Sequence, residues 1–186
     1  KAVMINRIVL VSLTLFLSCT SDLQPKPWGY LRLDYPDPNY QNFKESPNFS
    51  FEFNAFAQAS IAENKSNSKV VYPEMKATLY LNYNAVKKNL DSLLNDAYKL
   101  PYKHIAKAEA IPEKVFVNPI NRVYGTLFTV VGNAASQYQF FLTDSTAHFL
   151  VGSVYFYAKP NYDSILPAVK YLEKDIIHLM ESLQWK

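Results

Sequence analysis

Hydrophobic and polar residues alternate with a period of two in several stretches, which is the pattern of half-buried β-strands. The clearest stretches are Phe49–Ala55 and Met75–Tyr83. Further strands are predicted at Trp28–Asp34, Val70–Tyr72, Lys114–Val117, Val123–Val131, Tyr138–Thr143 and His148–Tyr157. We expect loops at Tyr35–Pro47, which holds three prolines, and at the polar segment Ala62–Lys69.

Two stretches have a helical period instead. Val86–Leu100 carries apolar residues at helical spacing, with Asn84 as its predicted N-cap and Pro101 beyond its end. Ser164–Leu183 has a longer apolar stripe, with Asp163 or Ser164 as its cap and Pro167 in its first turn. The segment Tyr102–Ala110 fits either a helix or a crossing segment.

The order of these elements is strands, a helix, more strands and a final helix. Strands that follow one another through short turns pair antiparallel, so the predicted fold class is α+β. His148–Tyr157 is apolar on both of its faces, which indicates a strand that is covered on both sides. We therefore expect a mostly antiparallel sheet with two main helices packed on it.

The first residues have the pattern of an export signal. Lys1 and Arg7 precede an apolar run of ten residues, Ile8–Leu17, which is too short to span a membrane as a helix. Cys19 follows Ser18 directly, an arrangement that resembles the bacterial lipobox, in which the cysteine is lipidated and the chain is cut before it. An ordinary secretory signal with an incidental cysteine is the alternative.

The lipobox interpretation divides the chain into three parts. Residues 1–18 are the lipoprotein signal peptide, residues 19–27 are a tether rich in proline, and residues 28–186 form a single α+β domain. We expect lipid-linked Cys19 to hold this domain at a membrane of the cell envelope, facing the periplasm. The pattern does not distinguish the inner from the outer membrane.

Composition excludes several classes of function. The chain has one cysteine among 186 residues, so it holds no internal disulfide and no cage of cysteines for a metal. Its four glycines form no phosphate-binding loop or nucleophile elbow, and we expect no cofactor. The net charge is only +3 and is partly contributed by the signal peptide, so nucleic acid is not an expected partner.

Asp144, Ser145 and His148 form the most suggestive cluster of chemical groups. An aspartate, a serine and a histidine are the residue types of a hydrolase triad, but the members of a triad normally converge from separate segments. The simpler interpretation is that Asp144 and Ser145 build a turn and that His148 opens the next strand. The three side chains are kept as a candidate partner-contact motif.

Other candidate groups have structural explanations. The three histidines, His104, His148 and His178, lie on different predicted elements without the spacing of metal ligands, so no metal site is predicted. We expect Glu173, Asp175 and Glu181 on the surface of the last helix, paired with nearby lysines. The abundant tyrosines suit protein contacts as well as the core.

The chain resembles the GldD family of gliding motility lipoproteins from Bacteroidetes. The resemblance rests on Pro25–Tyr30 with Arg32, Val71–Pro73, Lys103-His104, Gly132–Ser136, Gln139-Phe140, Leu142–Ser145, His148–Leu150 with Gly152, Asn161–Pro167 and Ser182–Lys186. At Val151 the family pattern has an arginine, and this departure bears on a contact rather than on membership.

The resemblance implies a lipoprotein without enzymatic activity that gliding motility requires and that is linked to type IX secretion, with other envelope proteins of that machinery as partners. By fold analogy it also suggests a sandwich similar to PsbP/Mog1 proteins. Our main hypothesis is an interaction or assembly module. The alternative is a small-ligand-binding or hydrolytic periplasmic domain with its site near Asp144, Ser145 and His148.

Overall fold

A seven-stranded antiparallel sheet forms the centre of the computed structural model, which describes residues 35–157 and 161–186. Its strands are β3 (Gln58–Ile61), β4 (Asn67–Tyr72), β5 (Ala77–Ala85), β7 (Glu113–Asn118), β8 (Val123–Thr129), β10 (Ser136–Thr143) and β11 (His148–Phe156). They lie in the order β3-β4-β5-β11-β10-β8-β7, so β3 and β7 are the two edges. The predicted α+β class is confirmed.

Two smaller sheets accompany the central one. β1 (Tyr40–Phe43), β2 (Phe49–Asn54) and the C-terminal β12 (Gln184–Trp185) form a three-stranded antiparallel sheet with β2 in the middle. β6 (Ala108–Ala110) pairs with β9 (Val131–Gly132) after a short 3₁₀ helix at Ile105–Lys107. The helices are α1 (Leu90–Tyr102) and α2 (Tyr162–Ser182).

The two helices pack on opposite sides of the central sheet. α2 buries Leu172, Ile176 and Leu179 in the main core, which also takes inward side chains of the small sheet, β5 and β10. On the other face, α1 covers a smaller cluster built from Phe128, Phe141 and Phe149. β11 contributes Leu150 to the first core and Phe149 to the second, which confirms that this strand is covered on both sides.

Most long elements agree with the sequence patterns, and the differences have physical reasons. The predicted loop Tyr35–Pro47 contains β1, and β3 was not predicted, because both strands have only four residues and take their pairing from β2 and β4. β5 continues to Ala85 because it pairs with β11 up to His148, so α1 begins at Leu90 with Asn89 as its N-cap.

Proline positions also differ from the predictions. Pro101 lies inside α1 rather than beyond its end. α2 begins at Tyr162 with Asn161 as its N-cap, which places Pro167 past the first turn. The signal peptide, Cys19, the tether and the predicted strand Trp28–Asp34 lie outside the described residues. No helix in the described part of the chain has the length and apolar character needed to cross a membrane.

Two of the few glycines are required where the central strands pack closely. A Cβ atom at Gly152 on β11 would lie 2.1 Å from the Phe140 ring, and one at Gly125 on β8 would lie 1.9 Å from the backbone oxygen of Phe141. Because real Cβ atoms do not approach other atoms so closely, both positions exclude alanine in this packing.

We predict that Gly152→Ala destabilises the protein by about 1–3 kcal/mol through overpacking, and that Phe140→Leu in the same chain recovers part of this loss. Gly125→Ala should also destabilise, but Phe140→Leu should not relieve it because the obstacle there is backbone. Urea unfolding of the single and double variants and the parent measures both effects. Strictly additive costs for Gly152→Ala and Phe140→Leu would contradict the packing described here.

Candidate functional site

The turn between β10 and β11 is built around the carboxylate of Asp144. Oδ1 accepts hydrogen bonds from the backbone N–H groups of Thr146, Ala147 and His148 at 2.8–2.9 Å, and Oδ2 accepts one from Thr146 Oγ1 at 2.6 Å. Thr143 Oγ1 donates to the His148 carbonyl at 2.7 Å. This is the turn that the simpler interpretation of the sequence predicts, with His148 as the first residue of β11.

The Asp144 carboxylate stays charged in this environment. Burial alone would raise its pKa, but the bonds from Thr146, His148 and Ala147 favour the charged form and hold the pKa well below its ordinary value. Asp144 is only 7% exposed, so its negative charge is used mainly to hold the turn.

The imidazole of His148 is held by two aromatic side chains from distant parts of the sequence. Nδ1 lies 2.9 Å from the hydroxyl oxygen of Tyr83 on β5. The ring stacks on Trp185 with a centroid distance of 5.1 Å and an angle of 10°. The pKa of Tyr83 is raised, mainly by burial and further by the negative charge of Asp144. The imidazole therefore has a fixed orientation, half-buried at the end of the sheet.

Trp185 is itself fixed by the C-terminal strand. β12 pairs with β2, with Trp185 opposite Phe49, and the indole N–H donates to the carbonyl of Arg122 at 3.2 Å. Lys186 Nζ donates to the carbonyls of Lys44 and Ser46. The end of the described chain is thus tied to the small sheet and to the turn between β7 and β8.

Together these side chains enclose a shallow cleft of about 410 Å³. It is lined by Asn121, Arg122, Asp144, His148, Gln184, Trp185 and Lys186. Arg122 is exposed, and its guanidinium lies 3.4 Å from the hydroxyl oxygen of Thr146. Because the Asp144 and Lys186 charges are engaged in local hydrogen bonds, Arg122 is the cation of the cleft that is best placed to meet an external group.

Asp144, Ser145 and His148 are neighbours, but they do not form a triad. Among the hydrogen bonds of the described residues, Asp144 bonds the backbone of His148 and not its imidazole. The imidazole Nδ1 faces Tyr83, and Ser145 is an exposed turn residue with a positive φ of 67°. The orienting carboxylate and the base of a hydrolase are therefore not connected here.

The sequence did not indicate that Arg122, Tyr83 and Trp185 meet at this turn. They come from β5, from the turn between β7 and β8, and from β12, and β12 has only two residues, which is too short to produce a period. One feature of the sequence could have indicated a contact here. Gln184-Trp185-Lys186 places an aromatic residue and a cation beyond Leu183, the last apolar residue of the helical stripe.

The other two histidines, His104 and His178, lie outside the cleft. His178 Nε2 lies 2.8 Å from Glu52 Oε2, and its ring stacks on Tyr40. No three His, Cys, Asp or Glu side chains within residues 35–157 and 161–186 are grouped as a metal site would require. His104 has a lowered pKa because of burial and the nearby Lys103 charge.

Asp175 corrects one prediction, because it is buried rather than paired on the helix surface. It is 3% exposed and accepts hydrogen bonds from Asn54 Nδ2 at 3.0 Å and from the Tyr40 hydroxyl at 3.1 Å. Burial raises its pKa more than these bonds lower it. This buried polar network joins α2 to the three-stranded sheet. The lysines near Asp175 in the sequence had indicated a solvent-exposed ion pair instead.

The depressed pKa of Asp144 predicts a pH dependence of stability. The contribution is fully present above the ordinary carboxyl pKa of 3.8 and is lost as pH falls below it toward the folded-state value. Asp144→Ala leaves three backbone N–H groups without their acceptor and should cost on the order of 2 kcal/mol near neutral pH.

Urea unfolding at a series of pH values measures this difference between the parent and Asp144→Ala. The difference should be constant from about pH 6 to pH 5 and should shrink on further acidification. Because Asp175 is present in both chains, its opposite pKa shift cancels. A difference that is independent of pH down to acid unfolding would contradict the role given to the carboxylate.

Comparisons with known proteins identify the family. No curated protein and no solved structure matches the chain, so the likeness to a PsbP/Mog1 sandwich stays a prediction. The profile of one family, described as gliding motility lipoprotein GldD, matches residues 20–185. This match spans the central sheet, both helices, the Asp144 turn and Trp185. The chain therefore belongs to the GldD family of gliding motility lipoproteins.

Proposed function

We propose that this protein is a lipid-anchored component of the gliding machinery in the cell envelope, linked to type IX secretion, and that it acts as an interaction or assembly module. The family description supports a lipoprotein that serves gliding motility. The apolar run Ile8–Leu17 followed by Cys19 supports an anchor at that cysteine. The domain faces the periplasm and binds other envelope proteins of the machinery.

The cleft at the Asp144 turn is the observation that carries this proposal. Its walls are pre-organised, because the turn is held by hydrogen bonds of the Asp144 carboxylate and the His148 ring is stacked on Trp185. Rigid surfaces lose little conformational entropy on binding, and Trp and Arg side chains are typical centres of protein interfaces. Arg122 favours a partner that presents a carboxylate.

The second candidate is a small-ligand-binding or hydrolytic domain that uses the same place. A cleft of about 410 Å³ has the size of many small-molecule sites, and this observation favours a ligand. Hydrolysis would need Ser145 to be activated by His148, whereas that ring bonds to Tyr83 and stacks on Trp185. The binding of an envelope protein requires no such rearrangement.

The lipid anchor is tested by Cys19→Ala. Because Cys19 is the only cysteine, its loss should abolish radioactive palmitate labelling and move the protein out of the membrane fraction. Persistence of both labelling and membrane association would show that the anchor has been assigned wrongly.

The binding role of the cleft is tested by Arg122→Glu. The side chain is exposed and makes one long contact to Thr146, so the fold should be unaffected. Reversing this charge should weaken binding of an acidic partner by at least about tenfold and should reduce gliding and the secretion of surface cargo. Lys174→Glu is the matched control, since Lys174 is an exposed cation on α2 outside the cleft.

Three outcomes separate the two candidates. Loss of gliding together with loss of co-purifying envelope proteins for Arg122→Glu, but not for Lys174→Glu, supports the interaction module. Loss of gliding with unchanged co-purification supports the small-ligand alternative. Normal gliding and normal co-purification for Arg122→Glu would contradict any role of the cleft in this function.

A further inference from the structure

Among residues 35–157 and 161–186, no backbone group pairs with the outer side of the edge strand β7. The register with β8 and the hydrogen bond from Thr129 N–H to the Pro112 carbonyl at 3.0 Å establish which residues of β7 bond to β8. In an antiparallel ladder these residues alternate, so Lys114, Phe116 and Asn118 bond inward. The N–H and C=O groups of Glu113, Val115 and Val117 therefore point away from the sheet.

This edge carries exposed apolar side chains beside the polar Glu113, Lys114 and Asn118. Val115 is 73% exposed, Val117 is 64% exposed, and Ile120 in the following turn is 92% exposed. The opposite edge is shorter, since β3 has four residues and its Ile61 packs against the main core. A six-residue edge that carries two exposed valines, and whose outward backbone groups have no partner in the described part of the chain, is a template for pairing with another strand.

The segment Val115-Phe116-Val117 has the same order of residue types in both directions, so it can pair with itself in an antiparallel register. With Phe116 opposite Phe116 of a second copy, Val115 lies opposite Val117, and Lys114 lies opposite Asn118. The N–H and C=O groups of Val115 in one copy then bond the C=O and N–H groups of Val117 in the other copy, and the same pair forms a second time across the two-fold axis. In this register Glu113 lies opposite Pro119, which has no N–H, so the paired backbone groups are those of Val115 and Val117.

We propose that two copies of this chain pair through their β7 strands, antiparallel and related by a two-fold axis, so that their seven-stranded sheets become continuous. The four valines form an apolar patch on the α1 side of the joint sheet. Such a contact is isologous and closes on itself, because each copy has one β7 edge and pairing uses it.

A small notch lies beside the β7 edge, where part of the second copy would pack. It measures about 70 Å³ and is lined mainly by apolar atoms of β7 and α2, among them Phe116, Ile177 and Met180. In the proposed register, the Phe116 ring of the second copy lies across the joint on this same face. Burial of the two rings adds an apolar contribution to the backbone pairing.

The contact is smaller than a typical stable interface of about 1,600 Å² of buried surface, so we expect a weak dimer in dilute solution. Anchoring both copies to one membrane raises their effective concentration and favours pairing. This last step rests on the lipid anchor proposed above. The test is therefore made in intact cells, where fractionation reports the anchor separately.

Cysteine crosslinking of the full chain tests both the partner and the register. Phe116→Cys places two thiols at a pair with Cα atoms close enough for a disulfide, and oxidation should give at least about fivefold more dimer than Phe56→Cys. Phe56 is a matched control because it is an exposed aromatic in the turn before β3, at the opposite edge. Since Phe116 is partly buried, a second pair of variants uses exposed positions.

In that second experiment, cells express one copy with Val115→Cys and a differently tagged copy with Val117→Cys. Mixed dimers should exceed the dimers that either variant forms with itself. Val115→Lys with Val117→Lys should abolish the Phe116→Cys dimer, whereas Phe56→Lys should leave it unchanged. Fractionation first establishes that the chain is in the membrane. If Phe116→Cys then gives no more dimer than Phe56→Cys, or crosslinks only to a different protein, the proposal is overturned.

Discussion

β10 and β11 are buried on both of their faces, and this two-sided burial determines where the helices and the Asp144 turn lie. Tyr138, Phe140 and Leu142 face the core under α2, while Phe141 on the same strand faces the cluster under α1. Because apolar side chains on two faces must both leave water, the helices have to lie on opposite sides of the sheet. The Asp144 turn then necessarily lies at one end of the central hairpin.

The position of that turn explains how distant segments come to build one cleft. The chain leaves α2 at Ser182, and Leu183 is fully buried before β12 pairs with β2. This brings Trp185 onto the His148 ring. The turn between β7 and β8 supplies Arg122, whose carbonyl accepts the Trp185 N–H. The cleft is therefore a consequence of how the C-terminus closes the main core.

The parts of this fold that could be predicted are those whose side chains carry a long periodic pattern. β5 and α2 were recognised because burial of one face repeats every two or every 3.6 residues, and β10 and β11 because each is a mostly apolar run bounded by turn residues. β1, β3 and β12 are short and take their conformation from neighbouring strands, so their own residues carry little signal. The Asp144 turn was predicted from local chemistry, but the contacts of Tyr83, Arg122 and Trp185 depend on tertiary packing and left no local trace.

In the proposed function, this domain meets another envelope protein through the cleft beside the Asp144 turn. A photo-crosslinking residue placed at the exposed Ser145 in intact cells, followed by mass spectrometry, measures this contact directly. We expect crosslinks to a protein of the gliding or secretion machinery from position 145, and none from the same residue placed at Lys174. If cells that still glide give no such crosslinked protein from position 145, the cleft is not the place of this contact.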